Sequence, residues 1–149
     1  MDKTTISKAV SIAGYALAVC GMIYLLENKF LLSDNYAGIA VQILAFALMI
    51  WSRLTFGTRS FHAVANTTEG GLVTTGPYKF FRHPIYASLI YFVWAGVLSF
   101  PRIDTLAAGI LVSAGLFTRM LLEESFLKQR YPDYKEYSVR TKRIIPFIF

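Results

Sequence analysis

Two groups of residues in this 149-residue chain hold most of its capacity for chemistry. The first is the stretch Leu72-Val73-Thr74-Thr75-Gly76-Pro77-Tyr78, followed by Arg82-His83-Pro84-Ile85-Tyr86. Gly70, Gly71 and Gly76 allow a ligand to approach the backbone closely, while Pro77 and Pro84 stiffen the turns, so the segment is suited to holding a shape. Its plainer reading is an interfacial loop whose Tyr and Arg side chains anchor in a headgroup layer. His83 has the chemistry of a general base or a ligand. With His62 as the only other histidine and no cysteine nearby, no metal site is expected. The second group is Arg119 and Glu123, with Glu124 adjacent. A spacing of four puts Arg119 and Glu123 on one helix face, either as a salt bridge or as ligands for opposite parts of a substrate. Two carboxylates at a helix exit, where a basic residue is the ordinary choice, favour function over packing.

The elements that position these groups are apolar and close to bilayer length. Hydrophobic residues make up 55% of the chain, the mean hydropathy is +0.48, and the apolar residues are concentrated in runs. The first, Ile6–Leu26, has Lys3 and Lys8 at its leading end and extends about 31 Å as a helix. It is longer than a signal peptide's core and no small-x-small cleavage site follows, so it is expected to be retained. The second is Tyr36–Leu54. The third, Ile85–Phe100, measures only about 24 Å and needs help from its flanks to span. The fourth is Thr105–Leu122, with Arg119 in its last turn. The expected fold is therefore all-α, a polytopic integral membrane protein of about four transmembrane helices in one domain, residues 1–149. A loop over residues 56–84 and an interfacial C-terminal segment, residues 123–149, complete it.

Charge sets the expected orientation. Fifteen Lys and Arg against nine Asp and Glu give a net charge of +6. With the amino end inside, thirteen of the fifteen fall in cytosolic segments, and only Lys29 and Arg102 fall outside. That asymmetry fits four helices with both termini cytosolic, and it explains the basic excess without a nucleic-acid partner. Cys20 is the sole cysteine, so no intramolecular disulfide forms. Gly14, Ala18 and Gly21 in the first run, and Gly109 and Gly115 in the fourth, permit close helix contact. Past the fourth run, Tyr131, Tyr134, Tyr137, Arg140, Lys142 and Arg143 alternate aromatic and basic character, the pattern of a segment lying on membrane lipids.

The combination Leu72-Val73, Gly76-Pro77-Tyr78, Arg82-His83-Pro84-Ile85-Tyr86, Arg119, Glu123-Glu124, Leu127, Tyr134, Tyr137 and Ile145-Pro146-Phe147 resembles the isoprenylcysteine carboxyl methyltransferase family of integral membrane enzymes. The resemblance runs from about Phe56 to the end of the chain. It implies S-adenosylmethionine as cofactor, contacted by Gly70, Gly71, Leu72, Val73, Tyr78, His83, Pro84, Ile85, Tyr86 and Glu123, with Glu124 and Asn66 as further candidates. Asn66 stands where relatives carry a glutamine, and Gly70 and Gly71 offer only backbone contacts. The resemblance also implies that Arg119 binds the acceptor.

Methyl transfer from a sulfonium to a carboxylate cancels opposite charges, so alignment and exclusion of water suffice and no catalytic triad is expected. Arg119 suits a carboxylate held by paired hydrogen bonds. Glu123 would accept hydrogen bonds from the polar end of the cofactor, and Tyr78 and Tyr86 would face the sulfonium. A lipid-like or prenylated acceptor would arrive from the bilayer and the cofactor from the cytosol. Three other readings compete: a phospholipid amine N-methyltransferase, an NADPH-dependent sterol-type reductase, and a membrane scaffold without enzymatic activity.

Overall fold

The computed structural model describes residues 3–57 and 71–145. Asn66 and Gly70, with His62, Pro146 and Phe147, lie outside the described residues. Among the described residues the chain forms five α-helices: α1 (Lys3–Glu27), α2 (Tyr36–Phe56), α3 (Pro84–Ser99), α4 (Ile103–Arg130) and α5 (Tyr134–Arg140), with a 3₁₀ turn at Gly76–Lys79. Helices α1, α2 and α4 are long and apolar enough to cross a membrane, and α3 is a shorter apolar helix. Local signals set the helix ends. The Asn35 side chain caps α2 by accepting from the Gly38 amide at 2.8 Å, and Pro84 opens α3, where its missing N–H is not needed. Before α4, the Arg102 amide donates to Thr105 Oγ1 at 3.1 Å.

Helix α4 differs most from expectation. It runs on past Leu122 to Arg130, so Glu123 and Glu124 are helical rather than at the helix exit. Their neighbours explain the extension, because the added turns are held by contacts to the loop before α3 and to the C-terminal segment.

Helix α1 packs along α4, α4 against α3, and α3 against α2. Contacts along each pair run in opposite directions. Gly14 meets Gly115 and Gly21 meets Ala108 and Val112, while the Tyr24 hydroxyl donates to Asp104 at 2.7 Å. A Cβ on Gly115 would stand 2.3 Å from the Gly14 carbonyl oxygen, so α1 and α4 touch backbone to backbone. Between α3 and α4, the Trp94 indole donates to Ser113 Oγ at 2.9 Å. Between α2 and α3, the Gln42 amide donates to the Phe92 carbonyl at 3.1 Å and to the Leu31 carbonyl at 2.7 Å. That satisfies a buried polar group where no water is available.

The core is a seam of Ala18, Leu25, Val93, Val97, Val112, Leu116 and Met120. Outward faces are apolar as well: Ile39, Ile43, Leu44, Phe46, Ile50 and Leu54 all lie exposed along α2. A surface of this kind is stable against lipid and unstable in water. The up-and-down order brings the end of α2, the start of α3 and the end of α4 to one end of the bundle, where both chemical groups of the sequence come together.

Candidate active site

The loop before α3 is tied down at several points. Gly76 has φ +56°, and a Cβ there would lie 2.7 Å from Thr55 Oγ1 and 3.3 Å from the Trp51 indole nitrogen. Glycine thus lets the 3₁₀ turn press against the end of α2. The turn buries Tyr78, whose ring packs on Phe56 with centroids 5.6 Å apart. The Tyr137 hydroxyl of α5 donates to the Tyr78 carbonyl at 2.8 Å. One residue pair, Phe81 and Lys142, forms a parallel bridge, with the Arg82 amide donating to the Lys142 carbonyl at 2.7 Å and the His83 amide to the Arg143 carbonyl at 3.0 Å. The Tyr91 hydroxyl secures the next residue by donating to the Ile144 carbonyl.

Glu124 is the electrostatic centre of this closure. Its carboxylate, 3% exposed, accepts from Arg82 Nε at 3.0 Å and from Arg143 Nη2 at 3.1 Å, and lies 3.3 Å from His83 Nε2. Arg82 extends further, donating to the carbonyls of Ser138 at 2.6 Å and Thr141 at 2.5 Å. One guanidinium therefore joins α4, α5 and the strand-like segment after it. A carboxylate at such depth requires compensating charge, which Arg82 and Arg143 supply.

Arg119 and Glu123 point elsewhere. Among the described residues they form no direct ion pair with each other. The Tyr86 phenol lies near both, in electrostatic contact with the guanidinium and the carboxylate. Arg119 is only 6% exposed. Its Nη1 donates to Ser11 Oγ of α1 at 3.4 Å, and its Cζ sits 5.2 Å from the centroid of the Tyr15 ring, a cation–π arrangement. Tyr15 itself is 49% exposed on the outer face of the bundle. Glu123 is half-buried and its charge reaches Tyr78, where it pushes the phenol's pKa up, a cause second only to burial.

The sequence-predicted residues thus fall into two adjoining sets. Tyr78, Tyr86, Arg119 and Glu123 converge on one place. His83 is buried against Glu124, its ring edge-on to Tyr86 at 5.7 Å. Pro84 is buried at the start of α3 and Ile85 is half-buried beside it. Leu72 and Val73 are half-buried ahead of the 3₁₀ turn, with Gly71 exposed before them. Among the described residues, no three His, Cys, Asp or Glu side chains are grouped to hold a metal ion.

Sequence reasoning gave no site role to Ser11, Tyr15, Arg82, Arg143 or Tyr134, although Arg82 and Tyr134 stand in the motif that carries the family resemblance. For Arg82 and Arg143 the available signal was charge balance, because a buried carboxylate pair needs cations nearby. For Ser11 and Tyr15 none existed, since they reach Arg119 only through helix packing. Tyr134 and Tyr137 depart from the interfacial reading of the tail. Tyr134 is 1% exposed and Tyr137 half-buried, their rings edge-to-face with centroids 6.0 Å apart. Burial raises both phenols, Tyr137 to about 12, so both stay protonated at neutral pH. Among the described residues, the Tyr134 hydroxyl is a buried polar atom without a hydrogen-bond partner.

The sequence model of the phospholipid methyltransferase family matches residues 33–134, from the turn before α2 to the start of α5. The chain belongs to this family. Over its whole length this methyltransferase is also similar to Protein-S-isoprenylcysteine O-methyltransferase B of Arabidopsis thaliana, with 30% identity over 159 aligned positions, 99% of this chain and 81% of that one. No solved structure matches. It is thus a membrane methyltransferase of a family whose members use S-adenosylmethionine, which sets aside the reductase and scaffold readings. The family match spans both chemical groups, the loop before α3 and the Arg119 to Glu124 stretch of α4.

Proposed function

We propose that this methyltransferase methylates a carboxylate on a lipid-like or prenylated acceptor at the cytosolic rim of the membrane, with both termini cytosolic. The observation that carries the reading is Arg119. A guanidinium buried in an apolar helix, beside a half-exposed aromatic ring on the bundle's outer face, suits an acidic group presented from the bilayer.

S-adenosylmethionine, when bound, supplies an activated methyl group together with an amino-acid end and an adenosine. The side chains present fit such a ligand: a half-buried Glu123 carboxylate for an ammonium group, the Tyr78 and Tyr86 phenols beside it, and a buried hydroxyl without a partner in Tyr134. Leu72, Val73, Pro84 and Ile85 line the loop side, with Gly71 offering backbone and Asn66 and Gly70 preceding it. Arg119 holds and orients the acceptor, and Tyr86 keeps Arg119 and Glu123 in register. His83 and Glu124 hold the loop closed, which keeps water from the site. No residue needs to remove a proton, because an acceptor carboxylate is already ionised at neutral pH.

A second acceptor, a phospholipid amine, is favoured by the family model's description. It differs from the first in requiring loss of a proton from nitrogen.

The first test is calorimetric binding of S-adenosylmethionine, with NADPH as control, to detergent-purified protein and its Glu123→Ala variant. Binding of the methyl donor that weakens at least about tenfold on substitution supports the site, and equal binding by the variant removes Glu123 from it. Transfer of labelled methyl in nanodiscs to farnesylcysteine or to phosphatidylethanolamine then decides the acceptor.

A further inference from the structure

Tyr134 opens α5 and is buried, yet among the described residues its hydroxyl has no hydrogen-bond partner. A buried hydroxyl left without a partner is destabilising, so phenylalanine would be the more stable residue unless something supplies the missing partner. The neighbouring groups indicate what that is. The charged side chains that act on this phenol are Glu124, Arg82 and Glu123, and the Tyr137 phenol lies beside it. Glu124 and Arg82 are committed to each other and to the C-terminal carbonyls. Tyr137 is committed to the Tyr78 and Phe81 carbonyls. The Tyr134 hydroxyl alone in this group is left to donate. Because burial and the two carboxylates keep it protonated, it is a donor rather than an acceptor of choice.

We propose that Tyr134 is a further ligand-contacting residue, whose hydroxyl donates to the α-carboxylate of the methyl donor while Glu123 takes the α-ammonium. This inference rests on the functional reading above. The pairing follows from chemistry: a zwitterionic amino-acid end needs one acceptor and one donor set close together, and Glu123 is an acceptor whose charge reaches the uncommitted Tyr134 donor. It also gives α5 a purpose beyond lipid contact, since its first residue reports directly on the bound ligand.

Tyr134→Phe removes the hydroxyl and leaves the ring, so the unliganded protein should melt at an unchanged or higher temperature. Calorimetry on the full-length variant and the wild type would use three ligands: S-adenosylmethionine, S-adenosylhomocysteine and 5′-methylthioadenosine, which lacks the amino-acid end. The expected result is binding about ten- to a hundredfold weaker for the first two, the loss of one hydrogen bond to a charged group, with methylthioadenosine unaffected. Tyr137→Phe serves as the structural control and should weaken all three together by loosening the Tyr78 turn. Wild-type affinity of Tyr134→Phe for S-adenosylmethionine, or an equal loss for methylthioadenosine, overturns the inference alone. A wild-type protein that takes up none of the three removes the functional reading and this inference with it.

Discussion

Replacing Glu124 with alanine takes away a carboxylate shared by Arg82, His83 and Arg143. Removing one partner of a buried ion pair costs about 3 to 5 kcal/mol, because the remaining charge is left uncompensated. Two features of this site place the expected loss at the lower end. The Arg143 side chain is 28% exposed and recovers hydration, and Arg82, though only 10% exposed, keeps the Ser138 and Thr141 carbonyls as acceptors. The expected destabilisation is therefore about 3 kcal/mol. Glu124→Gln preserves the volume and one acceptor oxygen but turns an amide toward a guanidinium, and should lose about half as much. The assay is denaturant unfolding in detergent, paired with limited trypsin digestion, which should cut at Lys135, Arg140 and Lys142 much faster in the alanine variant. Arg82→Ala combined with Glu124→Ala should cost less than the sum of the single changes, since the two share one interaction. A loss below about 1 kcal/mol for Glu124→Ala, with unaltered proteolysis, would show that the cluster does not hold the C-terminal segment to the loop.

Arg119→Ala should abolish methyl transfer while changing affinity for S-adenosylmethionine by less than about threefold, and Arg119→Lys should not restore the rate, because a single ammonium cannot replace a planar fork of donors. Loss of cofactor affinity as large as for Glu123→Ala would reassign Arg119 to the cofactor. Gly115→Ala places a methyl group 2.3 Å from the Gly14 carbonyl and 2.9 Å from the Ala18 amide, both rigid backbone. It should destabilise by about 1 to 3 kcal/mol and lower activity as well, since Ser11 and Tyr15 would move away from Arg119; retention of wild-type melting and rate would mean that α1 and α4 can separate without harm.

The apolar runs were legible because a bilayer imposes both length and composition on a helix, and Tyr36–Phe56 was placed to within two residues of its observed end. Helix α4 was misjudged at its far end for a specific reason. Hydropathy falls at Glu123-Glu124, which reads as the end of a span, while the helix is carried onward by ion pairs with residues far away in sequence. The small residues of α1 and α4 were readable as contact points. Their partners were not, because pairing α1 with α4 rather than α2 is a three-dimensional fact. The tail illustrates the opposite difficulty. Alternating aromatic and basic residues describe a segment lying on lipid and one closing over a site equally well, and only the burial of Tyr134 and the hydrogen bond from Tyr137 separate the two. The pair Arg119 and Glu123 could be placed on one helix face by spacing alone, yet the Tyr86 phenol on which both act comes from another helix.

The loop before α3 donates hydrogen bonds to the carbonyls of Ser138, Thr141, Lys142 and Arg143, some sixty residues further along the chain. Protein synthesis proceeds from the amino end, so all four apolar segments are polymerised before these carbonyls exist. The order of synthesis therefore separates the making of the apolar helices from the fastening of the loop, which waits for residues 138–143.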